Sequence, residues 1–272
     1  MADVPNAAGK YPLWVDHQAG EVHMGSQRII VLGTGASLSS RDRDNTSLAF
    51  DTPSGILLID CASNPYRQLL LAGLDPDRLF AVFLTHQHPD HIYGFPSLVH
   101  HFIMARRSST LAVYANFPTL RAAAALLNAL GLRAEFLRFF KVPEEKNYTV
   151  LEAEDFTIIT TPVRHVVPTL AIRVNSKLGS SFVYSADTGP CPELQALARE
   201  ADILVHECSV SRPTQGHTTP AQAAQLAEIC GVKKLILLHF WPTMEMEKVY
   251  EEASQYFKGE IVLAKDFLEV EL

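Results

Sequence analysis

Residues 85–91 read Thr-His-Gln-His-Pro-Asp-His and follow directly on an apolar run, so three imidazoles and a carboxylate are crowded at the end of a strand. Four ligand-type side chains in so short a stretch lose solvation and repel one another unless a cation organises them. The requirement on the fold is therefore a rigid strand end that opens into a sharp turn. In an extended turn His86 and His88 point to one side and chelate one metal, while Asp90 and His91 emerge on the next turn toward a second site. Imidazole and carboxylate donors suit Zn²⁺ first, with Mn²⁺ or Fe as alternatives.

The rest of the chain supplies strands in abundance. Short runs bounded by turn residues predict strands over 29–32, 47–50, 56–59 and 79–84, with a helix over 66–74 stopped by Gly73 and the Asp75-Pro76 turn. A strand over 111–114, a helix over 118–130 ending at Gly131, and strands over 156–161, 169–174 and 182–185 follow. The order then becomes αβαβ: helix 193–200, strand 203–205, helix 221–229 entered through Thr219-Pro220, strand 235–238, helix 244–257 and closing strands. Two sheets packed face to face with helices outside, or one Rossmann-like sheet, both satisfy this pattern.

With 272 residues and 47% hydrophobic content the chain can bury a core of single-domain size, and its 16 Pro and 14 Gly are dispersed instead of marking a linker. A domain over 28–272 preceded by an extension over 1–27 is expected; the extension is punctuated by charge and proline, without an apolar targeting core, and its His17 and His23 read as exposed polar residues. No stretch reaches the roughly 18 apolar residues of a membrane span. Cys61, Cys191, Cys208 and Cys230 form no CxxC pair, which predicts reduced thiols and a cytoplasmic protein. The net charge of −7, from 23 Lys+Arg against 30 Asp+Glu, gives no general attraction to phosphate backbones. Arg41, Arg43, Arg106 and Arg107 are the short basic clusters from which a local patch could be built.

The run His86-x-His88-x-Asp90-His91 resembles the signature of the metallo-β-lactamase superfamily. The resemblance implies an α/β fold of the αββα kind, a four-layer sandwich with two central mixed sheets flanked by helices, and a site for two divalent metal ions. It also implies further ligands at later strand ends: His165 as the third ligand of the first metal, Asp187 as the bridging carboxylate and His239 as the last ligand of the second. Within the superfamily the chain is most similar to the ribonuclease Z group, which matures tRNA 3′ ends, and to its short phosphodiesterase relatives. Leu32-Gly33-Thr34-Gly35-Ala36 resembles the group's first loop, where glycines serve either an anion cradle or a plain tight turn, and Asp44-Asn45-Thr46-Ser47 resembles the segment after it. His206-Glu207-Cys208-Ser209 is similar to the group's His-Glu-Ala-Thr motif, and Gly216-His217-Thr218-Thr219 to the segment that partners it.

By that resemblance a hydroxide between the metals attacks phosphorus, Asp90 orients it while ligating metal, and His217, polarised by Glu207, protonates the leaving group. One departure stands out. Only 21 residues separate His165 from Asp187, where ribonuclease Z proteins insert a long basic arm that grips tRNA. Its absence shifts weight toward a smaller phosphodiester, with Phe95, Phe240 and Trp241 as aromatic residues able to line a cleft for a base. The expected partner is therefore a phosphodiester, either a small molecule or an RNA end, and the resemblance implies a homodimer. Lactone, thioester or sulfate ester hydrolysis on the same site is the alternative, and a metal-holding protein without turnover is a third reading. The Glu207 and His217 pair favours phosphodiesters over carbonyl substrates.

Overall fold

The computed structural model describes residues 26–272, so nearly all of the extension expected over 1–27, with His17 and His23, lies outside the described residues. Two seven-stranded sheets account for the described strands. The first holds β1 (Arg28–Gly33), β2 (Ser47–Thr52), β3 (Gly55–Ile59), β4 (Leu79–Phe83), β5 (Leu111–Ala115) and β6 (Leu137–Lys141). The second holds β7 (Tyr148–Glu152), β8 (Phe156–Val163), β9 (Thr169–Ser176), β10 (Ser181–Tyr184), β11 (Ile203–Glu207), β12 (Lys234–Leu238) and β13 (Glu260–Leu263). The chain then returns as β14 (Leu268–Glu271), antiparallel to β1 at the edge of the first sheet.

The apolar runs are continuous because both faces of each central strand are covered. Ile29, Val31, Leu57 and Ile59 point inward and meet Phe156, Ile172, Phe182 and Val205 of the other sheet. Their neighbours Ile30, Leu32, Ile56 and Leu58 point outward under α1 (Pro65–Leu71), α3 (Phe95–Met104) and α4 (Phe117–Ala129). Between α1 and α3 lies a single turn of helix, α2 (Pro89–Ile92). The outer face of the second sheet carries α5 (Pro192–Ala198), α6 (Pro220–Cys230) and α7 (Met246–Ser254), packed on Val183, Leu204, Leu235 and Leu237. This is the four-layer αββα arrangement, not a single Rossmann-like sheet.

Helix α6 starts where Thr219-Pro220 predicts, with a complete capping box to Gln222, and stops at Gly231 in left-handed backbone. Helix α7 is shorter than the expected 244–257 at both ends, beginning only after Glu245 and ending at Ser254. Elements α2, α3, β6 and β7 escape the sequence reading. Helix α3 follows the turn of the histidine motif so closely, with Pro96 at its start, that its apolar spacing merges with the motif. Strands β6 and β7 are short edge strands with exposed charges, which blurs their period.

The turn that carries Asp90 and His91 is fastened to the end of β3. The Cys61 amide donates to the His91 carbonyl at 2.7 Å, and the Gly94 amide donates to the Cys61 carbonyl at 2.9 Å. A β-carbon on Gly94 would lie 2.7 Å from the carbonyl oxygens of Cys61, Ala62 and Ser63. Gly94→Ala is therefore expected to cost about 1–3 kcal/mol, read as a lowered urea midpoint; an unchanged midpoint would show that the close approach is not needed.

Candidate metal centre and cleft

The site forms where strand ends from both sheets meet. Strands β3 and β4 run parallel, as do β10, β11 and β12. Their carboxyl ends deliver Asp60, His86, Asp187, Glu207 and His239 to one edge, and β8, parallel to β10 through the intervening β9, adds His165. The Leu170 amide donates to the Thr85 carbonyl at 3.1 Å and ties the two sheets together there. Asp60, Ala186 and His239 all have positive φ, of 59°, 50° and 62°. Each follows within two residues of a strand end, and the left-handed backbone swings the adjoining ligand inward; such residues persist where surrounding contacts hold them.

Two groups of donor atoms result. Ligand atoms of His86, His88, His165 and Asp187 lie within 4.8 Å of one another, and so do those of Asp90, His91 and His239. Asp187 stands between the groups. Its Oδ2 is 3.9 Å from both His86 Nε2 and His165 Nε2 but 3.2 Å from His239 Nε2, while its Oδ1 is 3.4 Å from His91 Nε2. All seven residues expected from the sequence and the resemblance are thus gathered in one place.

The hydrogen bonds on the far side of the rings decide which nitrogens face inward. Thr46 Oγ1 donates to the Gly35 carbonyl and so accepts from His239 Nδ1–H at 2.9 Å. Thr85 Oγ1 donates to Asp60 and accepts from His86 Nδ1–H at 3.0 Å. His165 Nδ1–H donates to the Gly216 carbonyl at 2.7 Å, and His91 Nδ1–H donates to Asp60 Oδ2 at 2.7 Å. Nε2 of each ring then faces the centre. Burial above all, with positive neighbours adding to it, holds His86 well below the ordinary imidazole range, and burial also lowers His88 and His165. Neutral imidazole is the form that ligates metal.

The donor set also fits a cation on a second count. Buried His91 Nε2 and Asp187 Oδ1 have no hydrogen-bond partner although they face one another. Burial opposes charge on His91, yet Asp187 and Asp60 flank it so closely that its pKa rises well above the usual value. Burial likewise pushes Asp187 up, but His239 and His91 prevail and hold it well below the carboxylate range. The centre is a place that demands positive charge, and a metal supplying that charge in place of the His91 proton would take up His91 Nε2 and Asp187 Oδ1, the two atoms left without partners.

Glu207 is fully buried, which removes it from the surface role a glutamate usually has. Its Oε1 accepts from the amides of Thr188 and Thr218 at 3.3 and 3.1 Å and from His217 Nδ1 at 3.0 Å; its Oε2 accepts from Ser209 N and Oγ at 2.9 and 2.8 Å. His217 lies against His165, with ring centroids 5.0 Å apart. Burial works against a charge on His217, but the hydrogen bond and charge of Glu207 outweigh it and raise its pKa.

A cleft of about 620 Å³ opens above the centre, with His88, Asp90, Asp187, His217 and His239 on its floor and Trp241 on its wall. Phe95 and Phe240 do not line it: both are buried, Phe95 under the first sheet's helices and Phe240 with those of the second. Their aromatic surface is more favourably placed in the core than in water. Nor do the basic clusters make a phosphate patch. Arg43 lies over the Phe240 ring and donates to the Ala264 carbonyl, and Arg107 lies over Phe102 and donates to the Leu79 carbonyl, so half of each cluster serves the interior. The loop at Gly33 and Gly35 is a close backbone approach and not an anion cradle. The Gly35 and Ala36 amides are taken by the carbonyls of Asp44 and Phe240, and a β-carbon on Gly33 would meet the Asn45 carbonyl oxygen at 2.1 Å.

Sequence reasoning overlooks Asp60. It is fully buried and accepts from His91, from both Thr85 N and Oγ1 and from Tyr184 Oη. The signal was present, a carboxylate directly after the apolar run 56–59, as Asp187 follows the run 182–185.

Comparison with known proteins places these features in context. Residues 56–240 match the model of the beta-lactamase superfamily domain. Ribonuclease Z of Methanothermobacter thermautotrophicus is 27% identical to the chain over 298 aligned positions, covering 90% of this chain and 96% of its own. The aligned span exceeds the part of this chain it covers, so that protein carries residues with no counterpart here. Among solved structures, the metallo-beta-lactamase fold protein YhfI of Bacillus subtilis has a TM-score of 0.79 at 24% identity, covering 90% of this chain and 98% of that one. The short form of human tRNase Z has a TM-score of 0.73 at 23% identity, over 89% and 98% respectively.

Proposed function

The chain belongs to the beta-lactamase superfamily, and on that footing we propose that it is a two-metal phosphodiesterase of the ribonuclease Z type, formed by residues 28–272 as one hydrolase domain. The observation that carries this reading is the buried Glu207 holding His217 on the floor of the cleft beside both donor groups. Carbonyl substrates with good leaving groups have little use for such an acid; an alkoxide leaving from phosphorus does.

His86, His88 and His165 would hold one divalent ion and Asp90, His91 and His239 the other, with Asp187 shared; Zn²⁺ is the first choice for this donor set and Mn²⁺ or Fe the alternatives. When bound, the ions supply Lewis acidity and a water acidic enough to serve as nucleophile at neutral pH. Asp90, whose Oδ2 is 3.6 Å from His91 Nε2, presents its carboxylate to the cleft and orients that nucleophile by accepting its proton in a hydrogen bond. His217 is anchored through Nδ1 on Glu207, so in its charged form the proton on Nε2 is free for the departing oxygen. Four free, buried cysteines support a reducing compartment such as the cytoplasm. No helix among the described residues is long and apolar enough to cross a membrane.

The reading is tested with bis(p-nitrophenyl) phosphate. Metal-replete protein is expected to contain two divalent ions per chain by elemental analysis and to turn the ester over; a chelator abolishes turnover and Zn²⁺ restores it. A metal-replete protein that leaves phosphodiesters intact but opens a lactone or an aryl sulfate would transfer the chemistry to those esters.

A further inference from the structure

The loop between Glu207 and His217 carries a second feature. Arg212 lies on it, exposed, and lines the same cleft as the donor groups. Among the described lining residues it is the only Lys or Arg, and among the described residues its guanidinium has no acidic partner, in contrast to Arg28 and Arg78, which both pair with Asp51. A cation left unpaired at the mouth of a site that takes anionic substrates is available to the substrate.

The loop that carries it is tied to the chemistry through the backbone. Thr214 Oγ1 donates to the Arg212 carbonyl at 2.9 Å, and the Thr214 carbonyl accepts from the His217 amide at 3.3 Å. The carbonyl of Gly216 is in turn held by His165 Nδ1. Arg212 is therefore carried on the same loop as His217, the group placed to protonate the leaving oxygen, whereas Asp90, the group placed to orient the nucleophile, is carried by the turn after β4. An anion held by Arg212 belongs to the leaving part of the substrate. Trp241 follows the clamped residue Phe240, whose amide donates to Thr34 and whose carbonyl accepts from Ala36, so its indole, 38% exposed on the cleft wall, offers a fixed face for a base.

We infer that Arg212 is a specificity-determining residue that recognises a second phosphate carried by the leaving alcohol, so that the preferred substrate is a nucleotide chain with a 5′-phosphorylated nucleoside on the leaving side. The inference rests on the phosphodiesterase reading above. In the step concerned, a water oxygen bonds to phosphorus, the bond from phosphorus to the 3′-oxygen breaks, that oxygen takes a proton from His217, and the water's proton restores the balance. A free dinucleotide and the end of an RNA share this chemistry.

The test compares ApA with pApA, which differ only in a 5′-phosphate on the leaving nucleoside. The metal-replete protein is expected to show a kcat/KM ratio of about 10–100 in favour of pApA, the range of a charge-assisted hydrogen bond. Arg212→Ala brings the ratio close to one and Arg212→Lys restores part of it. A binding readout runs in parallel in a Trp14→Phe background, where Trp241 is the remaining tryptophan: quenching by a phosphorothioate pApA tightens relative to the analogue without the 5′-phosphate, and Arg212→Ala removes the difference. A single-stranded oligoadenylate forms the third arm. Further gain with length assigns the chemistry to RNA ends, and a plateau at the dinucleotide assigns it to small molecules; both support the role of Arg212. Equal handling of ApA and pApA, or a preference that survives in Arg212→Ala, overturns the inference while leaving the phosphodiesterase reading intact. Failure to cleave either dinucleotide or bis(p-nitrophenyl) phosphate overturns both.

Discussion

Replacing His217 with alanine is expected to lower kcat on a dinucleotide by about 10²–10⁴-fold, the usual range for general-acid help, while turnover of bis(p-nitrophenyl) phosphate falls far less. The contrast follows from the leaving groups. A ribose 3′-alkoxide is a strong base and needs its proton in the transition state, whereas p-nitrophenolate departs without one. A mere loss of packing around His217 would slow both esters alike, and equal losses would remove the acid role. The pH profile gives an independent check. Burial opposes the charge on His217 and Glu207 more than compensates, so its pKa sits above the ordinary imidazole value. The acid form is present below that pKa and lost as pH rises through it. Glu207→Gln keeps the side chain's shape but removes the negative charge, lowers the His217 pKa, and should move the alkaline limb of kcat/KM on the dinucleotide to lower pH. A limb that stays where it is would mean that another group sets it.

Asp60→Ala is the second large effect, and it separates stability from metal binding. The carboxylate is fully buried and takes four hydrogen bonds, from His91 Nδ1, Thr85 N, Thr85 Oγ1 and Tyr184 Oη. Removing it leaves the Thr85 amide, the Tyr184 hydroxyl and an imidazole N–H unpaired in the space between the sheets. Deleting one partner of such a buried charged network typically costs about 3–5 kcal/mol, which chelator-treated protein would report as a lowered urea midpoint. Asp60→Asn keeps an acceptor for Thr85 and costs less. It still takes away the negative charge that raises the basicity of His91, so metal affinity measured against a competing chelator should fall about 10–100-fold. If both variants bind metal as the parent does, Asp60 is a structural residue with no bearing on the centre.

Much of this architecture was legible in the chain. Buried strands show as unbroken apolar runs because each is covered on both faces; His86 follows such a run by two residues within a dense motif, and the resemblance that the motif carries points to Asp187 and His239 at later strand ends. Asp60 also follows such a run but stands alone, without a neighbouring histidine to draw attention to it. Helix α3 was hidden for the opposite reason, since the motif before it commands the local pattern. The aromatic candidates illustrate a different limit. Phe240 and Trp241 are adjacent, and opposite sides of one backbone separate a core residue from a cleft residue; nothing local distinguishes them.

The sequence by itself determined that strand ends would carry a concentration of imidazole and carboxylate, since apolar period and residue type are local properties, and solvation cost makes such a concentration need a cation. The division of those groups, implied by the resemblance, is carried out by the tertiary structure, which alone decided the contacts behind each ligand. Asp187 lies between the two donor groups, Nε2 of His86, His91, His165 and His239 is turned inward by partners as distant in sequence as Thr46 is from His239, and Glu207 is desolvated beneath His217. These are relations between segments that meet only when the two sheets close on one another, and the direction of a lone pair depends on what lies behind the ring.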